Sequence, residues 1–374
     1  MQNIVVLGAG MVGSAIAADL AKNYEVTVVD LDVKNLTALK TKHHLNTVSA
    51  DIRNKNLLQS IIKNAHLVVG AVPGYMGFDT LKTVISAGKN VVDISFFNED
   101  SFLLDELAKE QNVTAIVDCG ISPGLSNIIL AYYSRKFKVE KYECVVGGLP
   151  FKRVLPYEYK APFSPIDVIE EYTRPARIVE NGKIIAKPPL SEVEEIDIEP
   201  VGTLEAFNTD GLRTLLKTID VPNMKEKTLR YPGHIELMKL LDASGFFNKD
   251  YVEVNSVSVR PIDVTAKLLF RHWKLGKDER EFTVMRINIE GEKDGSPHKL
   301  TCSLFDEYNP KTGVSSMART TGYTCTAAAR LVLENKFDRK GICPPEYLGL
   351  EKGNYYKILD ELKTKGIVLK WTGK

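Results

Sequence analysis

No charge of one sign predominates in this sequence, where 49 Lys and Arg stand against 48 Asp and Glu. That balance supplies no electrostatic footprint for a polyanion, so neither nucleic acid nor an anionic membrane surface is an expected partner. Histidine is scarce, with six in 374 residues, and the five cysteines are scattered. Cys119, Cys144, Cys302, Cys325 and Cys343 form neither a CxxC pair nor a Cys/His cluster. This argues against a metal site and for reduced, mostly buried thiols in a reducing compartment. No stretch approaches the roughly 20 apolar residues that span a bilayer. The first apolar run, Ile4–Leu7, ends directly in glycines and does not extend into a leader. A soluble, cytoplasmic protein is expected. Repeats and low-complexity tracts are missing too, and Pro188-Pro189 is too short to be a linker.

What the chain does have is length, and 374 residues suit two domains, each with its own core. From Met1 to about Asn127 short apolar runs alternate with helical spacing: IVVL, Met11–Lys22, VTVV, Val33–Lys42, a strand near Val48, Asn54–Lys63, LVVGAV, Phe78–Ala87, NVVDI, Phe102–Glu110 and TAIV. Strands apolar on both faces require helices on both sides, which predicts a doubly wound parallel α/β unit. After a helix to about Arg135 the spacing changes to period two. Arg177–Glu180 and Lys183–Ala186 flank Asn181-Gly182, a tight-turn pair. Thr283–Ile289 and Leu300–Leu304 alternate likewise across a loop holding Gly295 and Pro297. The reading is a Rossmann domain over 1–127, an inserted α+β, mainly antiparallel, substrate and dimerisation domain over 128–315, and C-terminal helices over 316–374 returning to the first.

Gly8-Ala9-Gly10-Met11-Val12-Gly13 matches GxGxxG between a strand and an amphipathic helix, and Asp30 ends the next strand about twenty residues on, as the dinucleotide fingerprint requires. Gly8 allows the turn, Gly10 lets backbone approach a pyrophosphate, Gly13 lets helix pack on strand, and the helix N-terminus offers N–H groups to phosphate. Asp30 suits the ribose hydroxyls and disfavours a 2′-phosphate. NAD is therefore expected, with NADP kept open by Lys34. Asp51 after the third strand, Ala71-Val72-Pro73 at the end of the fourth, and Gly120 and Pro123 at a later strand end complete the expected cofactor surface.

Six blocks in order, GAGMVG, DCGISPGLSN (118–127), GGLP (147–150), LEAFNTDG (204–211), RYPGH (230–234) and MARTTGY (317–323), make the chain resemble the saccharopine dehydrogenase-like family, especially its L-lysine 6-dehydrogenase branch. The resemblance implies oxidation of a carbon–nitrogen bond at the far end of an amino acid, with a nicotinamide cofactor accepting hydride. On that basis Arg230 is the candidate for the substrate carboxylate, with Arg213 in reserve. His234 is a candidate proton acceptor or orienting group because its ordinary pKa lies near neutrality. Asp118 joins them as an acid at the crevice, and Tyr157, Glu158, Asp210 and Thr320 are further substrate contacts. The leading expectation is lysine oxidised to 2-aminoadipate 6-semialdehyde. The alternatives are a saccharopine dehydrogenase, whose substrate carries three carboxylates and needs more cations, and a dinucleotide sensor without turnover. A homo-oligomer, most simply a dimer, is the expected assembly.

Overall fold

The structure is a computed structural model that describes residues 1–161, 165–276 and 279–373, the side chains of 165 and 166 excepted. Its first part runs β1 (Asn3–Leu7), α1 (Met11–Leu20), β2 (Glu25–Asp30), α2 (Val33–His43), β3 (Asn46–Ser49), α3 (Lys55–Ile62), β4 (Leu67–Gly70), α4 (Gly74–Ser86), β5 (Val91–Asp93), α5 (Asp105–Glu110), β6 (Thr114–Ile116) and α6 (Leu125–Ser134). The helix starts follow local chemistry. Asp32 caps α2 by accepting the N–H groups of Lys34 and Asn35, and Asn54 caps α3 by accepting that of Leu57.

The chain continues with β7 (Lys138–Pro150), α7 (Pro165–Thr173), β8 (Ala176–Glu180), β9 (Lys183–Lys187), β10 (Glu194–Ile198), β11 (Gly202–Asn208), α8 (Leu215–Thr218), β12 (Asn223–Arg230), α9 (His234–Ala243), β13 (Val252–Val254), β14 (Val257–Val259), α10 (Pro261–Trp273), β15 (Glu281–Lys293) and β16 (Ser296–Glu307). It ends with α11 (Ser316–Leu333), β17 (Gly341–Cys343), α12 (Pro345–Gly349), α13 (Lys352–Thr364) and β18 (Leu369–Gly373).

Two compact units result, one of Met1–Lys136 with Met317–Val368, the other of Phe137–Ser316 with Leu369–Lys374. The first holds a sheet in the order β17-β6-β5-β4-β1-β2-β3, its strands paired in parallel. This is the Rossmann strand order extended by a seventh strand from the C-terminal region. Its core includes Val5, Leu7, Val29, Val68, Leu81 and Ala115. The second holds a larger sheet in the order β10-β11-β12-β7-β15-β16-β18, with β8 and β9 off that path. It is antiparallel except for β7 beside β12. Its core includes Tyr172, Phe207, Trp273 and Phe282.

The first hairpin turns at Asn181 and Gly182, with φ of 49° and 76°, as its sequence demands. The long hairpin of β15 and β16 is tighter than expected. It turns at Asp294 and Gly295, and Pro297 lies within β16 opposite Glu292. The C-terminal region also differs from a set of helices alone, because β17 pairs β6 and β18 pairs β16.

Candidate functional site

The glycine loop of the first unit is built by contact. Gly8 adopts φ +108°, and a Cβ there would lie 2.3 Å from the Ala71 carbonyl oxygen. Gly13 sits so close to the turn that a Cβ would lie 2.2 Å from Gly8 O. A Cβ on Gly10 would meet nothing within 4 Å. Gly10 also caps α1 without a side chain, leaving the first N–H groups of the helix facing an exposed surface at Gly10 and Met11, with Val12 half-buried behind. Such a cradle, open only at the middle glycine, fits a pyrophosphate held by Gly10, Met11 and Val12. Ala71, Val72 and Pro73 follow β4 and brace the turn, since Ala71 N–H donates to Leu7 O at 2.9 Å.

Asp30 is half-buried beside the loop and accepts the N–H groups of Ala9 at 2.5 Å and Asp32 at 2.8 Å. It therefore shapes the loop as well as presenting a carboxylate. At the end of β3, Asp51 accepts two-pronged hydrogen bonds from the Arg53 guanidinium, which pulls its pKa down to about 2. Arg53 is thus a cation two strand ends from the glycine loop that sequence reading passed over.

Within the same unit, Asp118 to Asn127 forms a folded turn. Asp118 is buried with φ 51°. Gly124, with φ +133°, packs so tightly on Gly120 that a Cβ would lie 1.9 Å from its carbonyl oxygen. Gly120 N–H donates to Pro123 O at 3.1 Å, and Asn127 Oδ1 accepts from Gly124 N at 3.2 Å. Gly120 and Pro123 thus make close backbone contact with each other. Asp93, unflagged by any motif, is fully buried at the end of β5, its Oδ1 accepting the Ser95 N–H at 2.8 Å. Thr320 is buried and donates to Met317 O in its own helix at 3.3 Å, so its hydroxyl does not line a surface.

In the second unit Arg230 and His234 come together, but not as the sequence suggested. Arg230, the candidate for the substrate carboxylate, is 2% exposed. Its Nε donates to Tyr172 Oη at 2.9 Å, its Nη1 to Leu229 O at 2.9 Å and its Nη2 to Glu171 Oε2 at 2.5 Å. The guanidinium also lies 4.4 Å from the Tyr159 ring centroid. Tyr172 Oη and His234 Nε2 are 3.0 Å apart, and His234 Nδ1 is 2.8 Å from Tyr157 O. A carbonyl only accepts, so Nδ1 carries the proton and Nε2 accepts from Tyr172. Both ring nitrogens are engaged. Burial, reinforced by the Arg230 charge, lowers the His234 pKa to about 3, so it does not titrate near neutrality as its ordinary pKa would suggest. The reason is the same for both residues: the turn at Pro232 and Gly233 bends the chain from β12 directly into α9, folding its polar side chains under the aromatic core.

The remaining sequence candidates are also engaged. Tyr157 packs its ring edge-on to Trp273, Glu158 pairs with Arg153 at 2.7 Å, and Asp210 accepts from Arg177 Nε at 2.8 Å and Nη2 at 2.7 Å. Asp210 is thus a partner for a guanidinium of its own chain. Arg213 is buried with φ 45°. Near it lies Arg174, on the turn leaving α7, whose pKa is lowered by burial first and then by the Arg213 charge. Arg174, Arg177 and Arg213 therefore concentrate three guanidiniums beside Asp210. Two of them, and Glu171, carry no motif signal, because they belong to an amphipathic helix end and a hairpin strand.

A fingerprint loop between the first strand and helix of a parallel sheet defines the class as a dinucleotide-binding protein. Residues 4–116 match the family model described as the saccharopine dehydrogenase NADP binding domain, and residues 120–367 match that of the saccharopine dehydrogenase C-terminal domain. The chain belongs to the saccharopine dehydrogenase family. It is 22% identical over 445 aligned residues to the mitochondrial alpha-aminoadipic semialdehyde synthase of Rattus norvegicus, which covers 98% of this chain and 47% of that protein. The chain thus spans about half the length of such relatives. It is 23% identical to the saccharopine dehydrogenase [NADP(+), L-glutamate-forming] of Saccharomyces cerevisiae, covering 99% of this chain and 98% of that one. The apo structure of the L-Glu-forming yeast saccharopine dehydrogenase superposes with a TM-score of 0.80 at 20% identity, covering all of both chains. These relatives favour the saccharopine-dehydrogenase reading over lysine 6-dehydrogenase, and the yeast relative's name and the first family model carry NADP where Asp30 had suggested NAD.

Proposed function

We propose that the protein oxidises the CH–NH group of saccharopine or a close analogue, a secondary amine between two amino-acid halves. A bound oxidised nicotinamide supplies the hydride acceptor. The chain's part is to hold the pyrophosphate on the Gly10–Val12 cradle, engage the ribose with Asp30, and fix the substrate's carboxylates so that the carbon beside nitrogen lies against the ring. Loss of the C–H hydride and the N–H proton leaves an imine, and water adds to it to release an amine and an aldehyde.

The observation that carries this reading is the cluster of Arg174, Arg177 and Arg213. Asp210 pairs with Arg177 and Glu170 with Arg174, and the concentration of cationic groups around them suits a substrate with three carboxylates better than lysine, which brings one. Lysine oxidation is the second reading, carried by the resemblance of the sequence blocks to the L-lysine 6-dehydrogenase branch. Asp30 supports NAD, while Arg53 and Lys34 are cations that suit a 2′-phosphate.

Initial rates of nicotinamide reduction with saccharopine and with L-lysine, each with NAD and with NADP, test the proposal. Saccharopine turnover at least tenfold above lysine is expected, and Arg174→Ala should raise its KM. Preference for lysine would replace the reading with the second one; reduction of neither cofactor by any amino acid would favour a sensor.

A further inference from the structure

In the first unit α6 and α12 meet backbone to backbone. A Cβ on Gly349 would lie 2.2 Å from Ile128 O, and Asn127 Nδ2 donates to Glu346 Oε2 at 3.1 Å. This packing sets the C-terminal end of α6 beside the junction of α12 and α13. Between them lies a cavity of about 230 Å³, lined by Tyr132, Arg135, Lys136, Leu350 and Lys352. Neither the glycine loop nor the guanidinium cluster of the second unit contributes a residue to it.

Three of the five lining residues are cations, in a chain whose charges balance as a whole. Each is held by a neutral group. Arg135 Nη1 donates to Leu350 O at 2.6 Å, Lys136 Nζ lies 5.0 Å from the Tyr132 ring centroid, and Lys352 Nζ lies 6.0 Å from that of Tyr356. A carbonyl or a ring face orients a cation without neutralising it, and among the described residues no carboxylate pairs with any of the three. Glu351, the acid beside Lys352 in sequence, accepts instead from Asn354 Nδ2 at 2.7 Å. The aromatic wall is fixed as well. Tyr132 stacks on Tyr355 with centroids 3.8 Å apart, and its Oη lies 2.9 Å from Tyr356 Oη. Burial first, and then that hydroxyl contact, push the Tyr132 pKa up to about 12, so the wall carries no charge near neutrality.

We propose that this cavity binds a small polyanion, a metabolite whose phosphoryl or carboxylate groups carry two or more negative charges. A guanidinium and two ammonium groups converging on one concavity form a donor set for the oxygens of such groups. The carbonyl and ring contacts hold that set in place before the anion arrives, which lowers the ordering cost of binding. Size selects a compact ion, because about 230 Å³ suits the bulk of pyrophosphate or citrate, and three cations around one cavity make no stripe for nucleic acid to follow. An occupant joins Arg135 at the end of α6 to Lys352 at the start of α13.

Hydrogen–deuterium exchange on the full chain, with inorganic pyrophosphate and separately with citrate, tests this, because it reports where each anion acts. At least one probe should slow exchange saturably over 130–137 and 350–357, the last turn of α6 and the first of α13. The probe acting at the lower concentration tells phosphoryl from carboxylate recognition. Acetate, a monoanion, should protect neither segment at equal ionic strength. The triple variant Arg135→Gln, Lys136→Gln, Lys352→Gln should raise the half-saturating concentration at least tenfold, with the melting temperature of the anion-free protein unchanged. Lys82→Gln, at an exposed position of α4, should leave the protection intact. Anion effects on the glycine loop and over 172–178 are read from their own peptides, so the two other anion-binding regions do not mimic the result. Absence of protection over 130–137 and 350–357 with both probes, or protection there that survives the triple variant, would overturn the proposal.

Discussion

Gly10 and Gly13 share one loop yet meet opposite surroundings, which separates binding from folding at single-residue resolution. A methyl at Gly13 runs into backbone at 2.2 Å, and one at Gly10 meets nothing. Gly10→Val should leave the melting temperature within a degree or two and weaken dinucleotide binding at least tenfold, because the branched side chain occupies the phosphate cradle. Gly13→Ala should lower stability by roughly 1–3 kcal/mol through overpacking. Calorimetry and fluorescence titration of the reduced cofactor on both variants check the pair. Arg230 makes the contrasting case, a candidate substrate ligand that turns out to be interior. Arg230→Met strands the Glu171 carboxylate, 18% exposed at its side chain, so it should cost about 3–5 kcal/mol. The double variant with Glu171→Gln should cost clearly less than the sum of the two singles, as urea melts would show. His234 gives a pH signature. Its folded pKa of about 3 lies below the ordinary value near 6.5, so the fold favours the neutral ring. That contribution is complete above pH 6.5 and is lost as pH falls toward 3, on the order of 4 kcal/mol across the window. His234→Gln keeps a donor and an acceptor but does not titrate; stability measured from pH 7 to 4 should fall less steeply in it than in the unmodified protein.

At the scale of elements, α1 is held from behind by a charge cluster that no motif announces. Asp19, buried on α1, accepts from Thr326 Oγ1 at 2.8 Å and Arg330 Nη1 at 3.0 Å on α11, and from Lys365 just after α13. Those cations hold the Asp19 carboxyl well below the usual range despite burial. A second close contact lies nearby, where a Cβ on Gly322 of α11 would reach Ile16 of α1 at 3.2 Å. Asp19→Ala removes the buried carboxylate shared by Arg330 and Lys365, leaves Arg330 with Glu361, and should cost about 3 kcal/mol, read by thermal melting. The elements legible in the sequence were those with a strong local signal: the alternating runs of the first unit, the Asn181-Gly182 turn, the helix over Ser316–Leu333. Less legible were β17, a three-residue strand whose pairing is settled by a partner more than 200 residues away, and the parallel placement of β7 beside β12. Period two reveals a strand, not its neighbour. The candidate site shows the same limit. Glycine spacing was legible because Gly8 and Gly13 answer local backbone demands, whereas Glu171, Tyr172 and Arg174 matter through contacts made across the second core.

For the whole molecule, one unit carries the parallel sheet with the glycine loop and the other the larger, mainly antiparallel sheet with the cluster of guanidinium groups. No helix among the described residues is long and apolar enough to cross a membrane. The central claim is that hydride passes between nicotinamide and the carbon of a carbon–nitrogen bond joining two amino acids. Its most direct measurement runs the reaction in reverse, with reduced nicotinamide deuterated at its transferable position, L-glutamate and 2-aminoadipate 6-semialdehyde, followed by mass spectrometry of the product. The account predicts saccharopine carrying one deuterium on the former aldehyde carbon, at a rate cut at least tenfold by Gly10→Val. Cofactor that binds but is never consumed, or deuterium found only in lysine when ammonia replaces glutamate, would contradict it.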